Sequence, residues 1–496
     1  MRRRIFKDGD LPSLLDVSIA ELAACAVFAP IRAHSYHGPR FNPPMTGITT
    51  LIDDLNRAWA EPIGKASDFV FGPWTIALLF GVGLFLTFRL GFVQFVHFRS
   101  ALKAFFGIDE LKAKGALSPF QTFMTALGAT IGTGNIAGVA TAIVKGGPGA
   151  LFWIWAWGAL AMAVKFTEAV LGVHYRRAGE GGLLAGPMIY LEDGLKMPRM
   201  GWLYAFVAGV AALTTTPFTQ PNSIADVMNS EWGVPKIATG VLLAILALVT
   251  IIGGVKSIGR ALEKAAPLKV ILYLTGGAIV LLSHAARIPE ALSMVVRGAF
   301  TPDAVLGGTA GVGIMVAMRY GIARGIYANE AGYGTAAVVY GAARSKDPFH
   351  QGLNAIMEVF IVSFVTSSIS ALSIIVTGVW KAGPTGAAAV AGAFESSMPG
   401  IGGSLVAVCV FLFGYTSLTG WSYYGEQSLE YIFGRRIVMP YRWIYCALIV
   451  IGATSKVDLV WNWGDLMNSL QIFPNVVGII GLSGVAAKIL RDRQRA

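Results

Sequence analysis

Residues 127–147 read LGATIGTGNIAGVATAIVKGG. The run is apolar enough for a membrane helix, yet it holds Gly128, Gly132, Gly134 and Gly138, with Thr133 and Asn135 among them. Residues 306–325, LGGTAGVGIMVAMRYGIARG, repeat the pattern with Gly307, Gly308, Gly311 and Gly313. Glycine lets a backbone come close to a ligand without a Cβ in the way. Unwinding a helix inside a bilayer frees N–H and C=O groups that are costly unless something satisfies them. A carboxylate suits the N–H groups of a half-helix, and a cation suits freed carbonyls. A lone small-xxx-small pattern signifies tight helix packing more often than a site. Two clusters at matching places, one of them carrying Thr133 and Asn135, predict a pair of broken helices around a binding site.

The rest of the chain supplies the context. It has 496 residues, 55% of them apolar and only 14% charged, with a mean hydropathy of +0.62. Soluble domains carry about 25% charged residues, so the natural solvent of this chain is lipid. The net charge of +11 fits basic cytoplasmic loops and gives no ground for a nucleic-acid partner. Cys25, Cys409 and Cys446 have no metal-ligand spacing. No GxxxxGK[ST] phosphate loop argues for an ATP-driven pump, and GATIGTGNIAG lacks the βαβ context of a dinucleotide site. The scattered histidines form no catalytic constellation, so an enzyme is not expected.

A span needs about 20 mostly apolar residues. That rule predicts eleven, near 69–92, 118–144, 149–173, 201–230, 236–254, 267–284, 307–326, 352–378, 403–425, 438–453 and 465–488. The fourth is interrupted by Pro217 and Pro221. With the loop after the first span inside, alternate loops hold 24 Lys and Arg against six in the opposite loops after that span, while residues 1–68 fit poorly and add eight on the outer side. The bias predicts an inner-membrane protein with its N-terminus outside and its C-terminus in the cytoplasm. Residues 1–68 form an extension, with a weak apolar run at 14–31, and Met45 is the expected true start. Setting aside the extra helix 69–92 leaves five spans in 118–284 and five in 307–488. An odd number per half makes the halves inverted, the arrangement of many secondary transporters.

Polar residues inside spans are functional candidates. Gln220 and Asn222 lie beside the prolines of the fourth span, and each is as readily a helix–helix hydrogen bond. Thr416, Ser417, Thr419 and Trp421 lie in the ninth; hydroxyl oxygens suit a cation, and Trp421 is either a wall for a small side chain or packing. Lys165 and Glu168 are spaced to pair on one helix face. Glu330 follows the seventh span and is a candidate inner-gate residue. Ser367, Ser368 and Ser370 in the eighth most simply bond their own backbone.

The chain resembles the alanine or glycine:cation symporter family, the sodium:alanine symporters. The resemblance lies in IGTGNIAGVATAIVKGGPGALFWIW (131–155), KFTEAVLGVHYR (165–176), GPMIYLEDGL (186–195), IIGGVKSIGRALEKAAP (251–267), RGIYANEAGYGTA (324–336), GWSYYGEQSLEYIFG (420–434) and WNWGDLMNSLQIFPN (461–475). It covers roughly residues 50–490. It implies an all-α, leucine-transporter-like fold of five-plus-five inverted repeats with one extra N-terminal helix. It also implies symport of alanine, glycine or a similar small neutral amino acid with Na⁺, or in some members H⁺. The substrate site would use Gly132, Thr133, Gly134, Asn135, Gln220, Ser417 and Trp421. The cation would draw on Thr130, Thr133, Thr416 and Ser417. One block departs: FIVSFVTSS (360–368) has Val362 and Ser363 where relatives often carry Asp–Thr, which bears on the ion and the cargo more than on the fold. Two other readings stand beside this one: a channel or sensor that binds without translocating, and a symporter of another substrate such as glutamine.

Overall fold

The computed structural model describes residues 59, 61–106, 117–301, 310–345, 347–381 and 383–495. The run 14–31, Cys25 and Met45 lie outside these residues, as do Gly307 and Gly308. Leaving aside short segments at 93–106 and 187–194, the helices begin with α1 (Pro73–Arg89), α2 (Pro119–Thr130), α3 (Ala137–Gly146) and α4 (Gly149–Tyr175). A small hairpin, β1 (Arg177–Gly179) and β2 (Gly182–Leu184), pairs Arg177 with Leu184. Next come α5 (Pro198–Thr214), α6 (Thr216–Trp232), α7 (Lys236–Ile251), α8 (Gly254–Ser283) and α9 (Ile288–Phe300). They are followed by α10 (Ala310–Asn329), α11 (Thr335–Gly341), α12 (Pro348–Phe360), α13 (Ser367–Thr377) and α14 (Gly386–Ser397). The last are α15 (Gly402–Phe433), α16 (Val438–Thr454), α17 (Val457–Gly481) and α18 (Ser483–Arg495).

Among the described residues, seven helices are long and apolar enough to cross a membrane, and two more crossings are bent pairs. One pair is the expected break: Pro119–Thr130 and Thr133–Gly146 meet at 60°. The other, Leu459–Gly481 with Ser483–Arg495 at 50°, falls inside the expected eleventh span, where Gly478, Gly481 and Gly484 flank the bend. The outer faces carry exposed Trp202, Phe206, Ile245, Ile271 and Leu282, while the interior holds buried Lys165, Lys269, Glu168 and Glu358. That is the polarity of a protein dissolved in lipid, where association rests on close packing more than on hydrophobic expulsion. Gly149 shows such packing: a Cβ there would lie 2.2 Å from the backbone of Gly298.

Three expectations need correction. The second Gly-rich cluster does not break its helix at Gly311 or Gly313, because α10 runs on to Asn329. The interruption falls at 330–334, where Glu330 (φ 57°), Gly332 (φ 99°) and Gly334 (φ 84°) take left-handed backbone. Lys165 pairs with Glu358 rather than with Glu168. Finally, Lys269, one of the 24 basic residues counted for the cytoplasmic loops, belongs to no loop: it is fully buried inside α8. Arg319 and Arg324, also counted as cytoplasmic, line a funnel with Lys145 and Lys236 of the opposite set. The loop bias survives these moves with a smaller margin.

Candidate functional site

The first break starts from a well-formed helix end. Ser118 Oγ accepts from the Gln121 N–H and Gln121 Oε1 accepts from the Ser118 N–H, each at 3.1 Å, with Pro119 opening the helix. This capping box fixes where α2 begins. At its other end the carbonyls released by the break can be accounted for one by one. The Gly128 and Ile131 carbonyls accept from Lys269 Nζ at 3.0 and 2.5 Å. The Ala129 carbonyl accepts from Ser417 Oγ at 2.5 Å. The Thr130 carbonyl accepts from the Gly132 N–H and from Asn135 Nδ2. Among the freed donors, the Thr133 N–H reaches Gln220 Oε1 at 2.9 Å.

The second break is satisfied by groups of the opposite charge. Glu168 Oε1, carried by α4, accepts from the Gly332 and Gly334 N–H groups at 2.9 and 3.1 Å and from Asn475 Nδ2 at 2.8 Å. Asn329 Oδ1 accepts from the Ala331 N–H. Glu330 is the non-glycine residue at this break with positive φ. Its carboxylate accepts from Trp421 Nε1 at 2.7 Å and from Thr335 Oγ1 at 3.0 Å. Those bonds hold a backbone conformation that costs free energy on its own.

A cavity with free volume of about 10 Å³, room for roughly one water, lies between the breaks. Gly132 and Gly134 from the first break and Gln220 from α6 line it with Ser417 and Trp421 from α15. The sequence pointed to all five. It did not point to Tyr327 and Tyr333, or to Asn468 of α17, which also line the cavity, as do Glu330, Thr130 and Thr216. Asn135 stands behind the wall, its carbonyl accepting from Ser370 Oγ at 2.6 Å. Asn222 donates to the Gly452 and Ser455 carbonyls, so it joins helices. Of the proposed cation groups, the Thr130 hydroxyl donates to Glu358 and accepts from Lys165, and the Thr416 hydroxyl accepts from Lys269. Thr133 Oγ1 and Asn135 Oδ1 are buried oxygens with no hydrogen-bond partner among the described residues.

Two glycines set the cavity's size. A Cβ on Gly132 would stand 2.5 Å from Ser417 Oγ and 2.9 Å from Gln220 Oε1, and one on Gly134 would stand 2.7 Å from the Tyr327 ring. Gly132→Ala is therefore expected to cost about 1–3 kcal/mol of stability for the overpacking. The melting temperature of the variant beside the wild type tests this; an unchanged value would mean that Ser417 and Gln220 move aside freely.

The cavity sits between two funnels. One, of about 670 Å³, includes Lys145, Lys236, Arg324, Trp461 and Asp465. The other, of about 610 Å³, includes Gly182, Gly253, Lys256, Glu430 and Arg442. Lys236 and Gly253 bracket α7, whose 16 residues span roughly 24 Å, so the funnels open at opposite ends of the bundle. Between the first funnel and the cavity, Arg324 donates to both oxygens of Asp465, at 3.3 and 2.5 Å. Its guanidinium also lies 5.8 Å from the Tyr327 ring centroid and 5.3 Å from that of Trp461.

Residues 56–496 match the family model of the sodium:alanine symporter family. The chain is 39% identical over 434 residues to the sodium/alanine symporter AgcS of Methanococcus maripaludis, covering 85% of this chain and 94% of that one. It is 32% identical to the amino-acid carrier protein AlsT of Bacillus subtilis, covering 87% and 91%. Among solved structures, MhsT in complex with L-phenylalanine matches with a TM-score of 0.51 at 13% identity, covering 75% of this chain and 98% of that one. The last likeness is one of fold alone, and that fold is the leucine-transporter-like one. Together these matches support a multi-pass membrane protein of the cation-coupled amino-acid symporter class, and the chain belongs to the sodium:alanine symporter family.

Proposed function

We propose that this protein carries alanine, glycine or a similar small neutral amino acid together with a monovalent cation, by alternating access about the cavity between the two broken helices. The observation that carries the reading is the placement of Gly132, Gln220, Ser417, Trp421 and Glu330 around one small cavity between two larger ones. In this reading the cargo carboxylate takes the Thr133 N–H that Gln220 now holds, and the cargo ammonium meets the Glu330 carboxylate. Trp421 and Tyr333 close over the side chain and exclude a large one. The unpartnered oxygens of Thr133 and Asn135 are suited to a coupling cation. A cation bound there would favour the state open to the outside, so its gradient would drive uptake. By loop charge, the funnel of Arg324 and Asp465 is the outer one, in a bacterial plasma membrane.

Proteoliposomes test the reading. Labelled alanine is expected to accumulate above equilibrium under an inward cation gradient and to leak away when the gradient is collapsed. Gln220→Ala is expected to lower that uptake about tenfold or more. In this reading the Gln220 amide, which lines the cavity, turns to donate to the cargo carboxylate once it is displaced from the Thr133 N–H, and losing that hydrogen bond costs about 1–3 kcal/mol. Binding without accumulation in the wild type would make the protein a sensor, and gradient-independent leakage of alanine would make it a channel.

A further inference from the structure

Lys269 is fully buried in α8, and nothing in the transport reading uses it. Its ammonium has three donors, and each finds an oxygen: the Gly128 carbonyl at 3.0 Å, the Ile131 carbonyl at 2.5 Å and Thr416 Oγ1 at 2.5 Å. The Thr416 hydroxyl donates its own proton to the Phe413 carbonyl at 3.0 Å, so its lone pairs are turned to the lysine. The Phe413 ring closes the remaining side, its centroid 5.1 Å from Nζ.

The composition of this shell matters more than its tightness. Buried ammonium groups are ordinarily paired with carboxylates, as Lys165 is with Glu358. The hydrogen-bond partners of Lys269 include no carboxylate; two are carbonyls released by a helix break and one is a hydroxyl. Neutral oxygens from two different helices around a single positive charge form the cage of a small monovalent cation. The negative end of the α2 dipole adds to it. An ionisable residue this deep in a membrane bundle marks an ion pathway by default.

We infer that the Lys269 ammonium is a tethered cation occupying a seat between α2 and α15 that a sodium ion would otherwise take. This deepens the transport reading and rests on it for the seat's role in the cycle. Lys269 fixes the charge that holds the broken end of α2 against α15, and the protein binds no sodium there. Any sodium carried with the cargo uses other oxygens, those of Thr133 and Asn135. The number of sodium ions per transport cycle is one fewer than the cage would hold in the absence of the lysine.

Counting bound sodium tests this without any cargo. Purified full-length protein is titrated to saturation with radioactive sodium, as wild type and as Lys269→Met, which keeps the length of the stem and removes the charge. The wild type is expected to bind at most one sodium ion per chain, and Lys269→Met one more than the wild type. Two or more in the wild type, or equal counts in a folded variant, would overturn the inference. Should Lys269→Met not fold, the wild-type count still decides one arm. Lys269→Ala melted with and without methylammonium then decides the other: recovery of the melting temperature by the amine supports a cation seat, and no recovery overturns it. Failure of the transport reading has its own signature, wild-type liposomes that neither exchange nor accumulate labelled alanine.

Discussion

Glu358→Ala is expected to destabilise the folded protein by about 3–5 kcal/mol, the cost of stranding a buried charge. Lys165 and Glu358 are each 1% exposed and lie 2.5 Å apart. The same carboxylate accepts from Thr130 Oγ1 at 2.5 Å and, on its other oxygen, from the Tyr340 hydroxyl at 2.9 Å. Removing it leaves the Lys165 ammonium with the Thr130 hydroxyl at 3.2 Å as its remaining hydrogen bond, and strips Tyr340 of its acceptor. The double variant Lys165→Met/Glu358→Met removes both charges and should recover at least half of the loss, since apolar replacement of a whole buried pair is often neutral. Reversible unfolding in mixed micelles measures the cycle. A single-variant cost under about 1 kcal/mol would mean that water reaches the pair and that its dielectric surroundings are not those of a dry interior.

The position of this network also ties stability to function. Thr130 is the last residue of α2, so the Lys165–Glu358 pair anchors the first break from one side while Lys269 anchors it from another. Loosening either side should blur the geometry of Gly132 and Thr133 before the bundle itself comes apart. Alanine exchange is accordingly expected to fail in Glu358→Ala at temperatures where helical circular dichroism is still intact.

Much of this arrangement was legible in the sequence, and the exceptions have physical reasons. The first break was readable because glycine, threonine and asparagine cluster there within an apolar run. The second was misplaced because glycine density is an ambiguous signal: Gly321 lies against the Ala150 backbone in an unbroken helix, whereas the real interruption needs left-handed backbone at Glu330, a residue no composition rule would choose. Lys269 was counted with the loop charges although it lies just inside the expected span 267–284, and α8 in fact begins well before it, at Gly254, and runs through Pro267. Glu358 lay inside the expected eighth span and carried the very signal, a charge within an apolar run, that marked Lys165 as of interest. The carboxylate missing at Val362 thus has a counterpart one turn earlier, buried and already paired. Pairings across helices, such as Glu168 with the Gly332 and Gly334 amides, connect residues far apart in the chain and leave no local trace.

Asp465→Asn is expected to trap the protein open toward the larger funnel. Arg324 and Asp465 are 13% and 11% exposed, and both line that funnel close in sequence to Tyr327 and Asn468 of the cavity wall, where in the proposed transport cycle their two hydrogen bonds bar the way. The Arg324 guanidinium also faces Tyr327 and Trp461, so the pair and the two rings form one plug. The pair is made in this closed conformation; in the proposed cycle, a state that admits cargo from this funnel would part α10 from α17 and break it. Only the closed state therefore loses free energy in the variant. A loss of about 2 kcal/mol, at the low end for truncating one member of a buried charge pair, moves the equilibrium roughly 30-fold toward opening. Binding of alanine in detergent should hold or tighten, because the cavity residues are untouched and the state that admits cargo is more populated, while exchange in liposomes should drop by about tenfold or more. A reporter cysteine in place of Thr216, which lines the cavity, should react faster with an impermeant maleimide in the Asp465→Asn background. The charge-swapped double variant Arg324→Asp/Asp465→Arg should slow that labelling again, since the attraction is restored with its direction reversed. If labelling and exchange are both unchanged in Asp465→Asn, the pair holds the bundle together but does not gate it, and the barrier between funnel and cavity belongs to the Tyr327 and Trp461 rings alone.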